Sequence, residues 1–238
     1  MKTDANGEPN IEVISNSLRP ILAKNPSENL WITQGFICKN FENEIDNLQR
    51  GGSDYTASLI GAAINAHQIQ IWTDIDGMHN NDPRFVENTY SIKEISFDEA
   101  AELAYFGAKI LHPQSLIPAK ENNISVLLKN TFNPNAKGTI IKNKTVKKDV
   151  TAIAAKDGIT AIKIKSYRML LAYGFLKKVF EVFEKYQTPI DMITTSEVAV
   201  SLTIDNTKFL SEITQELEEF GKVEIDKNLT IVCEPGDF

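Results

Sequence analysis

Two hydrophobic rhythms meet in this chain of 238 residues, and a polar, lysine-rich stretch from Lys142 to Asp149 separates them. Before it, short β-favouring runs alternate with segments of helical period. Leu30-Trp31-Ile32-Thr33 reads as a strand ending at Gly35. Ser53 to His67 reads as a helix with Ala57, Ile60, Ala63, Ile64 and Ala66 on one face, and Ile69-Gln70-Ile71-Trp72 as the next strand. A second helix begins at Ser96, where Ser96 and Glu99 match a capping box, and runs past Tyr105 to about Leu111, with Pro113 as its stop. Ser125-Val126-Leu127-Leu128 is a further strand. Strands alternating with helices predict an α/β fold with a mainly parallel sheet.

After the polar stretch the pattern changes. Ile162 and Ile164 alternate with Lys163 and Lys165, as in a strand with one solvated face. Phe175, Leu176, Val179, Phe180 and Phe183 make a helical stripe. Strands follow around Ile190 to Thr194 and through Val198, Val200, Leu202 and Ile204, then a helix carrying Phe209, Leu210, Ile213 and Leu217, then a strand from Val223 to Ile225. The order βαββαβ predicts a ferredoxin-like α+β unit. The expected domains are therefore residues 1–143 and 150–238.

Composition narrows the function classes. A hydrophobic share of 42% and a charged share of 24% are ordinary for a globular protein. No run of eighteen or more apolar residues occurs, so no membrane-spanning helix is expected. A net charge of −7 argues against a broad nucleic-acid surface. Cys38 and Cys233 lie far apart, which suits reduced thiols in a cytoplasmic protein, and neither they nor His67, His79 and His112 form a metal pattern.

The sharpest local motif is Arg50-Gly51-Gly52-Ser53-Asp54, just ahead of an amphipathic helix. Two glycines let the backbone turn tightly and approach a ligand, and the helix start that follows offers unpaired N–H groups and a positive dipole end, a natural site for an anion. Arg50 adds a planar clamp for a carboxylate. The same residues also suit an ordinary Gly-Gly turn with Ser53 or Asp54 as N-cap. Thr73-Asp74-Ile75-Asp76-Gly77 follows a strand, with Asp82-Pro83-Arg84 beyond it, where ligands gather in open α/β sheets; a turn-rich surface loop has the same composition. A calcium loop is excluded, because its first ligand would be Trp72. Lys109, near a helix end, is on local grounds a dipole partner. Ile193-Thr194-Thr195-Ser196-Glu197 joins two strands and suits either a small polar ligand or a turn. No P-loop, GxGxxG, GxSxG or HExxH motif is present.

Taken in order, Ile32-Thr33-Gln34-Gly35-Phe36, Arg50 to Ala57, Ile71-Trp72-Thr73-Asp74, Gly107 to Pro113, Asn130-Thr131-Phe132 and Ile193 to Glu197 resemble the aspartokinase family, nearest its lysine-sensitive monofunctional branch. The resemblance implies the C-terminal part of an amino-acid-kinase domain followed by an ACT domain. It implies ATP-dependent phosphorylation of the side-chain carboxylate of L-aspartate to 4-phospho-L-aspartate, with Mg²⁺, on the way to lysine, threonine and methionine. By that resemblance Asp54 is the acidic residue at the reaction centre, and Arg50, Gly51, Gly52 and Ser53 bind the substrate. Thr73, Asp74, His79, Arg84 and Lys109 face the nucleotide, His79 standing where the family usually has tyrosine. An amino-acid effector, lysine in preference, is held by Met169, Ala172, Phe175, Leu176, Asp191, Thr195, Ser196 and Glu197, with Leu171 and Ala172 replacing polar residues of the family's lysine pocket. Gln49 stands where the family usually has glycine. Pairing of ACT domains implies a homodimer.

The family's amino-terminal KFGGTS-type segment is absent, and Leu229-Thr230-Ile231-Val232 resembles the first strand of a second ACT domain, which Asp149 to Ala155 would complete. The chain is therefore expected to be a fragment that is inactive on its own, and a non-catalytic effector-binding subunit is the alternative reading.

Overall fold

The computed structural model describes residues 1–49, 51–107, 111–145, 150–167 and 173–236. The chain divides into two compact units, Met1–Ala154 with Cys233–Phe238, and Ala155–Val232. The first unit thus extends past the lysine-rich stretch and takes the chain back at Cys233.

The first unit runs α1 (Ile11–Lys24), β1 (Ile37–Lys39), β2 (Ile45–Asn47), α2 (Gly52–Ala63), β3 (Gln68–Thr73), β4 (Glu94–Ser96), α3 (Phe97–Phe106), a 3₁₀ turn (Pro113–Leu116), α4 (Ile117–Glu121), β5 (Ser125–Asn130) and β6 (Thr139–Lys142). Its main sheet has the order β3-β5-β6-β4. β3 pairs parallel with β5 and β4 with β6, while β5 and β6 are antiparallel, so the sheet is mixed with parallel pairs predominating. Alternation buries Ile69, Ile71, Val126 and Leu128 against Ile95, Leu103 and Ile141. Each such side chain contributes about 1.5–3 kcal/mol on burial.

Three sequence expectations change here. Leu30 to Thr33 forms no strand. The Ser96 helix stops at Phe106 with Gly107 as its C-cap, short of Leu111, and Pro113 opens a 3₁₀ turn instead of ending a helix, because proline suits a first helical turn. The α1 helix and the β1–β2 hairpin are additions to the elements read from the sequence.

The capping box is present as expected. Ser96 Oγ accepts the Glu99 N–H at 3.2 Å and Glu99 Oε2 accepts the Ser96 N–H at 2.9 Å. The other carboxylate oxygen of Glu99 accepts the Thr151 hydroxyl, so the cap also pins the end of this unit. Ser96→Ala should therefore cost about 1 kcal/mol, seen as a melting point lower by roughly 2–4 °C. An unchanged melt would show that the box adds nothing.

The second unit runs β7 (Ala154–Lys165), α5 (Phe175–Lys185), β8 (Met192–Thr195), β9 (Ala199–Ile204), α6 (Leu210–Leu217) and β10 (Lys222–Cys233). Its sheet order, β10-β7-β9-β8, is the ferredoxin-like one. Ile162, Ile164, Val200, Leu202 and Ile204 face Val179, Phe183, Ile213 and Leu217 across the core. Val223–Ile225 and Leu229–Val232, read separately in the sequence, are one continuous strand here. Thr151–Ile153 forms no strand, and Ala154 instead opens β7.

Candidate active site

The start of α2 is built by close approach. Gly51 is left-handed, with φ 72°, and a Cβ there would lie 2.5 Å from His112 Cβ. A Cβ on Gly52 would meet Phe36 Cδ2 at 2.8 Å and Leu48 Cβ at 3.1 Å. Only glycine fits both places. Thr56 pins the turn from inside. Its hydroxyl donates to the Gly52 carbonyl at 2.7 Å and accepts the Phe36 N–H at 3.0 Å. Leu48 N–H donates to the Phe36 carbonyl at 2.8 Å, closing the frame. No described side chain caps this helix, so its first turn presents amides and a positive dipole end to an anion.

Ser53 is exposed at this seat and Asp54 is half-buried behind it. Burial pushes the Asp54 carboxyl above its ordinary value, the cost of holding a charge where water is scarce. Tyr55, buried below, is pushed up to about 12, first by burial and then by the charge of Glu8, and so stays protonated at neutral pH. Arg50, the proposed carboxylate clamp, lies outside the described residues, as does Lys109.

The loop after β3 is held just as firmly. Thr73 Oγ1 accepts the Ile75 N–H at 3.2 Å, and Thr131 N–H donates to the Thr73 carbonyl at 2.8 Å. Asn130 Nδ2 donates to Asp76 at 2.7 Å, tying the ends of β3 and β5 together. Gly77, with φ 113°, lies so close to Thr139 that a Cβ would stand 2.5 Å from its hydroxyl. That hydroxyl accepts the Met78 N–H at 2.9 Å and donates to the Ile92 carbonyl at 2.6 Å. Asp74 remains exposed beyond the strand end. His79 Nδ1 lies 3.0 Å from Thr89 Oγ1. Arg84 grips Asp82 through Nε at 3.0 Å to each oxygen, which holds the Asp82 carboxyl below the usual range.

Topology brings the two halves to one edge. A short turn leads from α2 into β3, so helix and strand run in opposite senses, and Gly61 lets α2 sit directly on Ile69. Helix and strand are both close to 20 Å long at ~1.5 and ~3.3 Å per residue. The α2 amino end therefore comes level with the carboxyl ends of β3 and β5, the edge where open α/β sheets bind ligands. Sequence reasoning missed Thr56, Thr139 and His112, which shape this edge; Thr56, four residues after Gly52, was legible as a helix back-bond. A cleft of about 420 Å³, lined by Phe97, Tyr105, His112, Leu116 and Ile117 among others, shares His112 with this turn and has none of the expected site residues among its described lining.

Residues 5–130 match the model of the amino acid kinase family. The chain belongs to that family. Its relatives include the chloroplastic aspartokinase 3 of Arabidopsis thaliana, 42% identical over 87% of this chain and 39% of that protein. It also superposes on E. coli aspartokinase III, 38% identical, in two states. The complex with aspartate and ADP gives a TM-score of 0.85 over 100% of this chain and 56% of that one. The complex with lysine and aspartate gives 0.84 over 100% and 55%. This chain spans about half the length of those relatives or less. The α/β kinase-family unit and the ferredoxin-like ACT-type unit read from the sequence both agree with these structures.

In the ACT-type unit, Phe175 belongs to the core and Leu176 packs partly against it. The Asp191 side chain is only 1% exposed and lies 3.3 Å from Lys156 Nζ, which also reaches Asp205 at 2.8 Å. Thr195, Ser196 and Glu197 are exposed around the turn from β8 to β9. Met169 and Ala172, with Leu171, lie outside the described residues. Among the described residues no cluster of His, Cys, Asp or Glu could hold a metal, and no helix is long and apolar enough to cross a membrane.

Proposed function

We propose that this chain forms the aspartate-gripping part and one nucleotide-facing edge of a feedback-regulated aspartate kinase. The supporting observation is the glycine-built, uncapped start of α2, level with the ends of β3 and β5, in a family member whose solved relative holds aspartate and ADP. The reaction transfers the γ-phosphoryl group of ATP to the side-chain carboxylate of L-aspartate, giving 4-phospho-L-aspartate for lysine, threonine and methionine synthesis. Two anions must be brought into line, so positioning and charge neutralisation carry the chemistry. Arg50 and the amides behind Gly51, Gly52 and Ser53 bind aspartate, and Asp54 sits at the reaction centre. Thr73, Asp74 and His79 face the nucleotide, with Arg84 and Lys109 toward its phosphates. Mg²⁺ would arrive with the nucleotide, take most of its ligands from phosphate and water, and supply charge neutralisation there.

Lysine is the effector we favour, because the carboxylates of Asp191 and Glu197 are of the type that suits a cationic amine. Pairing of two ACT-type units would form the pocket in a homodimer, and the enzyme would act in the cytoplasm. Calorimetry with lysine, threonine and methionine separates the effectors, and a clean preference for threonine would remove lysine from the proposal.

The substrate assignment is tested in a protein carried at its relatives' length. A guanidinium grips a carboxylate through two parallel bonds that an ammonium cannot reproduce. Charge-assisted bonds are worth about 1.5–3 kcal/mol, so Arg50→Lys should raise the aspartate KM by roughly tenfold or more. The ATP KM should move little, and Lys109→Ala should show the opposite bias. A normally melting Arg50→Lys with an unchanged aspartate KM would remove the clamp and leave an ordinary turn.

A further inference from the structure

Residues 78–92 form an arm whose two legs face each other. Ile92 N–H donates to the Met78 carbonyl at 2.7 Å, and Asn80 N–H to the Tyr90 carbonyl at 3.1 Å. The Asn80 side chain adds a third rung by accepting the Tyr90 N–H at 2.8 Å. At the root of the arm, the buried Thr139 hydroxyl accepts from Met78 and donates to Ile92. The arm carries His79 and Arg84. A segment from much later in the chain closes its outer side. Ile153 N–H donates to the Asn80 carbonyl at 2.9 Å, so Asn80 is held by Tyr90 on one side and by Ile153 on the other. Ile153 lies in a strap, residues 151–154, whose Ala152 and Ala154 side chains belong to the core of the first unit. Thr151 fastens the strap twice. Its N–H donates to the Pro235 carbonyl at 3.1 Å, and its hydroxyl donates to Glu99 Oε1. Glu99 is 9% exposed, and its other oxygen accepts the Ser96 N–H in the capping box of α3. A capping box needs only one carboxylate oxygen. Here the second is turned to a hydroxyl 52 residues away.

We propose that Thr151 and Glu99 are positioning residues for the nucleotide-facing arm: through the strap they fix Asn80, and Asn80 fixes the neck from which His79 and Arg84 are presented. What the arm faces rests on the aspartate-kinase reading above; what holds it rests on the hydrogen bonds alone. A chain that merely crossed the surface here would be served by its two core alanines. It would need neither a bond to the neck nor a buried carboxylate, and a buried polar group is costly unless its bonds are made. Such a residue acts without touching a reactant, because a shift of about 1 Å in a binding group can cost on the order of 10²-fold in rate.

Hydrogen exchange on this chain tests the hold. In the parent, the Asn80, Tyr90 and Ile153 amides should exchange about tenfold or more slowly than unstructured amides. Thr151→Val keeps the shape and the backbone bond to Pro235 but removes the hydroxyl, and should speed those three amides by about tenfold or more. Thr151→Ser, which keeps the hydroxyl, should restore them. Ser96→Ala weakens the cap of α3 but leaves the Thr151 bond, and should leave the three amides as in the parent. Kinetics in a protein of the relatives' length test the purpose. There Thr151→Val should raise the ATP KM by about fivefold or more, with kcat and the aspartate KM within about twofold. A merely structural loss would lower the active fraction, and so kcat, with both KM values unmoved. Unprotected amides in the parent, parent-like exchange in Thr151→Val, or equal acceleration by Ser96→Ala overturns the strap. A loosened neck with an unmoved ATP KM overturns the positioning role. If the parent of that length transfers no phosphoryl group to aspartate, the kinase reading fails, and the exchange result still decides the strap.

Discussion

Asp54→Asn should abolish turnover while leaving the protein at least as stable as before. The carboxyl sits in the first turn of α2 behind the exposed Ser53, half-buried, and burial holds its protonation value above the ordinary 3.8. If it is the acidic group at the reaction centre, its loss should cost about 10²–10⁴ in kcat. The stability effect has the opposite sign. In the window just above pH 3.8 the folded chain keeps a proton that the unfolded chain releases, so stability falls as pH rises through that window. Asparagine carries no charge to desolvate, so at pH 7 the variant should melt no lower than the parent. Any advantage should vanish below about pH 3.8, where both forms are neutral. Steady-state kinetics in a protein of the relatives' length, with melts of this chain at pH 3 to 8, would separate the two effects. A variant that keeps near-normal kcat would remove Asp54 from the chemistry. One that melts far lower at pH 7 would mean the carboxylate is a structural cap.

Gly138→Ala should be among the most damaging substitutions in the first unit. Gly138 has φ 73°, and a Cβ on it would lie 1.9 Å from the Leu128 carbonyl oxygen. That carbonyl belongs to β5, whose Leu128 pairs with Thr139, so it cannot step aside without breaking the β5–β6 ladder. Backbone strain plus the lost pairing should cost about 2–4 kcal/mol, or roughly 5–15 °C in melting temperature. Gly158 is the control. Its φ is 78° but no atom lies within 4 Å of a Cβ, so alanine there meets only the left-handed penalty of about 1–2 kcal/mol. Equal melts for the two variants would show that the contact with Leu128 relaxes freely.

The sequence revealed what depends on local periodicity. The alternation through Ile162 and Ile164 and through Val200, Leu202 and Ile204 predicted β7 and β9, because one face of each is buried. Ser96 and Glu99 announced α3 through a bond pattern confined to four residues. Its end was less legible, since Pro113 read as the stop, whereas the helix ends at Phe106 with Gly107 as its C-cap. Leu30–Thr33 failed for a different reason, because a strand needs a partner and local composition cannot supply one. Within the candidate site, the Gly51-Gly52 turn was readable as a place for close approach, but what approaches was not. Phe36, Leu48 and His112 reach those glycines through the tertiary fold. The hydroxyl of Thr139, 61 residues from the Met78 amide it accepts, left no trace in any local pattern.

The ACT-type unit is spliced into the kinase-family unit, and both seams of the splice are sewn. Just outside it, Thr151 N–H donates to the Pro235 carbonyl at 3.1 Å. Just inside it, the Thr230 hydroxyl donates to Asp157 at 2.6 Å. The outgoing and returning chains are thus already side by side where the module begins, and β7 and β10 are neighbours in its sheet. Closing either side after a cut would need only a short bridge, and loop-closure entropy changes little with a few residues more or less. Such a module can be lengthened, replaced or excised at small chain-entropy cost to its host, so the inserted and host modules can diverge at separate rates.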